Sequence, residues 1–153
     1  MESLLFPEEG PGSNALSLVL QRLSVNWKVA QQRPRAYVRR RWVPDLILKL
    51  RGPQSGQWRI IVSSGEQIAP ADVPALAEKM HACAQKLGGN VIPLVTADFF
   101  GRRIRELLVK EDLSYADSTG NLRINGHHPL LLFEVVGANS DPACRKDAPH
   151  ERP

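Results

Sequence analysis

Between residues 45 and 135 the apolar and polar positions change period several times, and each change marks an element. "DLILKL" (45–50) alternates around Lys49 and reads as a strand. "GPQSGQ" is a turn cluster, and "WRIIV" (58–62) reads as a buried strand paired with the first. "SSGEQIAP" follows as a loop. Val73, Leu76, Ala77, Met80, Ala84 and Leu87 then recur at helical spacing, with Cys83 on the same stripe, and Gly88 and Gly89 end the helix. His81 falls beside that stripe and reads as a helix-surface residue. "NVIPLVTA" (90–97) is an unbroken apolar run, the mark of a strand covered on both faces. "DFFGRRIRELLVKED" predicts a second helix over about 99–110. Asp98 is its expected N-cap, Phe100, Ile104, Leu107 and Leu108 point inward, and Arg102, Arg103 and Arg105 fall mainly outside. A short strand and turn in "LSYADSTGN" and strands in "LRIN" and "PLLLFEVV" close the pattern. "GHHP" is the turn between the last two, which makes His127 and His128 turn residues.

Upstream, "SNALSLVLQRL" predicts a first helix capped by Ser13 or Asn14. "NWKVAQ" and "RAYVRRRW" read as strands on either side of Pro34. The expected fold class is α/β, one mixed central sheet flanked by helices. The expected organisation is a flexible N-terminus (1–12), one domain (13–137) and a polar, Pro-rich, disordered tail (138–153).

Composition narrows the function classes. The chain has 153 residues and a net charge of +4. From Trp27 to Ile60 nine cations face one acid, Asp45, a local charge of +8 that leaves −4 for the rest. Such asymmetry points to an anionic partner, nucleic acid first, and a solvated basic face is the plain alternative. The cysteines, Cys83 and Cys144, have neither metal-ligand spacing nor a disulfide framework, so a reducing cytoplasm is expected. The acidic N-terminus is not a secretory leader, and the longest apolar run, interrupted by Glu134, is too short to span a membrane.

Three chemistries have candidates. No glycine-rich phosphate loop precedes a helix, so nucleotide-triphosphate chemistry is not expected. Ser63, Ser64 and Gly65 follow a strand but lack the nucleophile-elbow pattern. Metal-dependent hydrolysis of a phosphodiester needs paired carboxylates to hold Mg²⁺ and a lysine beside them. Asp45, opening a strand after Pro44, supplies one acid. The next strand should carry acid-x-lysine on one face, and the corresponding positions hold Ile60 and Val62. Glu66 is the nearest other acid.

Together "PDLILKL", "SSGEQ", "PLVTADFFGRRIRELL" and "SYADSTGNLRI" resemble a bacterial restriction-endonuclease-like domain. It heads AbiEi antitoxin-like, winged-helix regulator proteins, and the resemblance covers about residues 40–135. It implies that Asp45 is the first nuclease acid and that Asp117, Gly120 and Asn121 form a recurring turn after the second helix. It also implies that the acid and lysine before "SSGE" have been replaced at Ile60 and Val62. The expected protein is a catalytically inactive nuclease-fold module without a cofactor or bound metal. The polar tail is expected to leave no room for the winged helix. DNA is the expected partner, contacted through Arg33, Arg35, Arg39, Arg40 and Arg41. Tyr37 and Trp42 stand ready to stack on bases. Two alternatives stay open. One is an active Mg²⁺-dependent nuclease using Asp45 and Glu66. The other is a module that binds a protein partner or pairs with its own copy. The turn residues also have a purely structural reading, in which Asp117 and Asn121 bond backbone groups and Gly120 supplies a positive φ.

Overall fold

The computed structural model describes residues 15, 28–32, 44–52, 57–64, 68–88, 91–127 and 130–137. They form one seven-stranded sheet in which spatial order follows chain order. The strands are β1 (Lys28–Gln32), β2 (Leu46–Arg51), β3 (Gln57–Ser64), β4 (Val91–Ala97), β5 (Ser114–Asp117), β6 (Leu122–His127) and β7 (Leu130–Val135). Helix α1 (Val73–Lys86) joins β3 to β4, and helix α2 (Arg102–Lys110) joins β4 to β5. The crossovers make β3, β4 and β5 parallel, whereas β1–β2–β3 and β5–β6–β7 run antiparallel. The expected α/β fold is therefore present. "DLILKL", "WRIIV" and "NVIPLVTA" are adjacent, with no helix among the described residues of 45–62 or 91–96.

Alternation along each strand divides the core into two clusters. Ile47, Ile61, Val95, Ala97 and Tyr115 face the helices and pack against Val73, Ala77 and Met80 of α1 and Leu108 of α2. Leu46, Leu48, Ile60, Val62, Ile92, Leu94, Ala116 and Ile124 fill the opposite face together with Ala15. Ala15 is helical and wholly buried, as expected within the predicted first helix, whose other positions lie outside the described residues. β4 is buried from Ile92 to Ala97 because both of its faces are covered, which explains its unbroken apolar run.

Several local expectations change. α2 begins at Arg102, with Gly101 in extended backbone as its N-cap, so Asp98 does not cap it. The Asp98 carbonyl instead accepts the Ser118 N–H, and the Phe100 N–H is donated to the Asp117 carboxylate. These two bonds hold 98–100 out of the helix. Phe100 is buried as expected, but ahead of the helix. Ser63 and Ser64 belong to β3 and not to a loop. Gly126 and His127 belong to β6, where His127 pairs with Leu130; His128 lies outside the described residues. α1 ends one residue earlier than its stripe, and Gly88 beyond it adopts φ +98°. His81 is half-buried on α1 and donates from Nε2 to the Glu111 carbonyl, tying α1 to the end of α2. Among the described residues no helix is long and apolar enough to cross a membrane.

Candidate functional site

Two aspartates mark the end of the sheet where the parallel strands finish. Asp45 precedes β2 and so lies beside the last residues of β3. Its backbone N–H donates to the Val62 carbonyl at 2.8 Å, and its Oδ2 accepts the Ser64 N–H at 2.8 Å. Asp45 is exposed, and that one contact leaves most of the lone pairs of its carboxylate turned to solvent. Next to it the Ser64 and Thr96 hydroxyls lie 3.0 Å apart across the β3–β4 pair. No local pattern marks this hydroxyl pair, which depends on the parallel register.

Ile60 and Val62, where the nuclease pattern needs an acid and a lysine, have 0 % exposure. Ile60 pairs with Leu48 and Val62 with Leu46, and all four belong to the cluster that includes Leu94 and Ile92. A charge at either position would sit inside close-packed hydrocarbon at a cost of several kcal/mol (~3 or more). Among the described residues no three His, Cys, Asp or Glu side chains converge as metal ligands. Glu66 lies outside the described residues, as do Arg33, Arg35, Arg39, Arg40 and Arg41, so the expected arginine surface has no geometry here.

The Asp117 turn is a different kind of site. Asp117 and Asn121 are each 1 % exposed. Oδ1 of Asp117 accepts the Thr119 N–H (2.9 Å), the Thr119 hydroxyl (2.6 Å) and the Asn121 N–H (3.1 Å). Oδ2 accepts the Phe100 N–H (3.0 Å) and one Asn121 amide N–H (2.8 Å). Five donors on two oxygens leave no lone pair free for a cation. The Asn121 side-chain Oδ1 accepts the Gly137 N–H (2.7 Å) and an Arg105 guanidinium N–H (3.1 Å). Arg105 is therefore half-buried and engaged, unlike its exposed neighbours Arg102 and Arg103. Two side chains thus fasten β5, α2, the loop before α2 and Gly137 beyond β7 to one another.

The backbone of the turn explains its glycines. Gly120 sits at φ +102°, a region that side chains with Cβ rarely enter. A Cβ on Gly137 would lie 2.5 Å from the Thr119 carbonyl oxygen and 2.6 Å from the Asn121 nitrogen. Of the three turn residues singled out from the sequence, Asp117 and Asn121 are brought together and Gly120 forms the bend between them. All three act on the protein's own backbone. Arg105 and Gly137 are partners that sequence reading missed. Their contacts span 16 residues each way from Asn121, beyond the reach of any local motif.

A third charged residue has a structural task. Arg59 of β3 donates through its guanidinium to the Leu87 carbonyl at the end of α1. A cation there complements the negative end of the helix dipole and satisfies a carbonyl that the helix leaves unpaired. Burial pushes the Cys83 thiol on α1 above its ordinary range, against a smaller opposing pull from Lys86. Cys83 thus behaves as a packing residue and not as a poised nucleophile. Comparison with known proteins finds no matching family, no matching curated protein and no matching solved structure.

Proposed function

We propose that this chain is a nuclease-type frame whose catalytic positions have become core, and that it works as a DNA-associated, antitoxin-like regulatory module. The observation that carries the reading is the complete burial of Ile60 and Val62 in register with Leu48 and Leu46, beside an exposed Asp45. A two-carboxylate metal site and an apolar cluster cannot share those positions. DNA association draws its support from the local charge of +8 over 27–60. The proposed partner and the restriction-endonuclease-like kinship rest on the sequence motifs.

The test is plasmid nicking with Mg²⁺ or Mn²⁺, comparing the native chain with Asp45→Ala. Neither protein should nick. Robust nicking lost in the variant would establish the nuclease reading with Asp45 and Glu66 and remove this one. One observation favours a protein-binding reading as well. Leu132 on the terminal strand β7 and Val136 just beyond it are 60 % and 71 % exposed. Retention on DNA at low salt, lost at high salt, separates the DNA reading from that alternative.

A further inference from the structure

We infer that one corner of the sheet, built around Lys49 and Arg51 of β2, is a contact surface for nucleic-acid phosphates. The inference rests on the DNA-associated reading above and gives that reading a location on the described fold.

The corner follows from register. Residues two apart on a strand share a face, so Ile47, Lys49 and Arg51 point the same way, about 6.8 Å apart. Ile47 and its partner Ile61 lie under the helical layer. Lys49 and Arg51, farther along the strand, are exposed. Lys49 stands between Ala30 of β1 and Arg59 of β3, and Arg51 stands between Lys28 of β1 and Gln57 of β3. Four cationic positions thus occupy two neighbouring rows across three strands, with no acid in either row.

Such a pattern costs stability. Like charges placed directly opposite one another on neighbouring strands repel, where opposite charges would attract. Internal roles account for only part of the group. Arg59 is turned to the end of α1, as described. A lysine can also blunt the unwanted pairing of an edge strand. Neither reason covers Lys49 and Arg51, because β2 is paired on both sides. The ion pairs among the described residues lie elsewhere, Arg102 with Glu106 and Arg123 with Glu134. Asp45, directly before β2, is about 13 Å from Lys49 and about 20 Å from Arg51 along the strand. Two exposed cations on one strand, set opposite other cationic positions and without an ion pair among the described residues, are a charge arrangement that an external polyanion stabilises. A phosphate backbone fits better than a single small anion, because the positive charge is spread over two rows and forms no enclosed cradle. The contact reads charge and not sequence, since phosphates carry no base information.

The experiment uses the full chain and a fluorescein-labelled duplex of mixed sequence, followed by anisotropy between 50 and 200 mM salt. The variant K49A/R51A removes both cations from solvent-exposed positions. Each phosphate contact contributes about 0.9 to the slope of log affinity against log salt, so the double variant should be shallower by about 1.8. At 50 mM salt its affinity should fall about tenfold or more. Its melting temperature should stay level or rise, because repulsion is relieved. Arg103→Ala, an exposed cation on α2, should leave affinity and slope unchanged. A wild-type protein that binds DNA with the same slope as K49A/R51A would overturn the corner while sparing the DNA reading. No binding by the wild type would overturn both. Displacement of the duplex by polyglutamate at equal charge concentration would replace nucleic acid by an acidic protein partner.

Discussion

Asp45 and Asp117 stand at the same end of the sheet and could hardly be used more differently. Asp45 is in solvent, with its carboxylate accepting the Ser64 N–H. Asp117 is buried, and its two oxygens take five donors from three residues. A carboxylate is open to an outside partner only to the extent that the fold leaves its lone pairs unused. By that measure Asp117 belongs to the scaffold, and Asp45 is the acid still free to meet a cation or a ligand. The sequence motif treated both as marks of the same domain, and the hydrogen bonds give them separate roles.

Truncating each acid in turn should separate the two most strongly. Asp117→Ala removes the acceptor that this side chain supplies to the N–H groups of Phe100, Thr119 and Asn121, at about 1–3 kcal/mol for each buried group. The loss should reach ~3–5 kcal/mol, enough to unfold a marginal domain, and urea denaturation reads it. Asp45→Ala should cost at most about 1 kcal/mol, because water replaces its partner. Equal losses at the two positions would erase the distinction.

Gly137→Ala is the next test, because it attacks the turn from outside. The new methyl would press on the Thr119 carbonyl and the Asn121 nitrogen, both backbone atoms that cannot swing aside. A loss of about 1–3 kcal/mol is expected in the same denaturation experiment. A neutral substitution would show that the segment after β7 is not held against the turn.

The smallest effect concerns pH. Tyr115 lies on β5 two residues before Asp117, with its ring edge-on to Phe100. Burial raises its phenol above the ordinary value near 10, against a smaller opposing pull from the Arg105 guanidinium. The folded chain therefore holds this proton more tightly than the unfolded chain. The associated stability is complete below pH 10 and is lost as pH rises through the higher folded value. Unfolding midpoints at pH 9 and pH 11 should fall less steeply in Tyr115→Phe than in the native protein. An unchanged slope would remove Tyr115 from the alkaline response.

Much of the sheet was legible because its signals are local. "DLILKL" alternates, "WRIIV" and "NVIPLVTA" are apolar runs of strand length, and the α1 stripe keeps helical period through Leu87. The errors lie where a distant group overrules a local one. Asp98 has the right residue type and position for a helix cap. The Phe100 amide is nonetheless taken by Asp117, 17 residues away, and the helix starts later. His127 follows a glycine and precedes His128 and Pro129, which reads as a turn, yet pairing with Leu130 extends β6 through it. Arg59 looked like one more cation of a basic stretch until the return of the chain brought Leu87 beside it. The pair of strands that follows Pro44 and Asp45 was legible. What the sequence could not convey is that Ile60 and Val62 are fully packed and that Asp45 is not.

The agreement of strand order with chain order bears on how the molecule can assemble and be re-engineered. Every strand pairs with its sequence neighbour, so the sheet can grow outward from β3 and β4 one connection at a time. The same order puts β1 and β7 on opposite edges. Six inter-strand steps of about 4.8 Å separate them, roughly 29 Å across the sheet. A permutant that joins β7 directly to β1 would need a linker of about nine extended residues to cross that width, before any detour around the helices. Grafted sequences are better carried at the connections between neighbouring strands, where each join spans a single step.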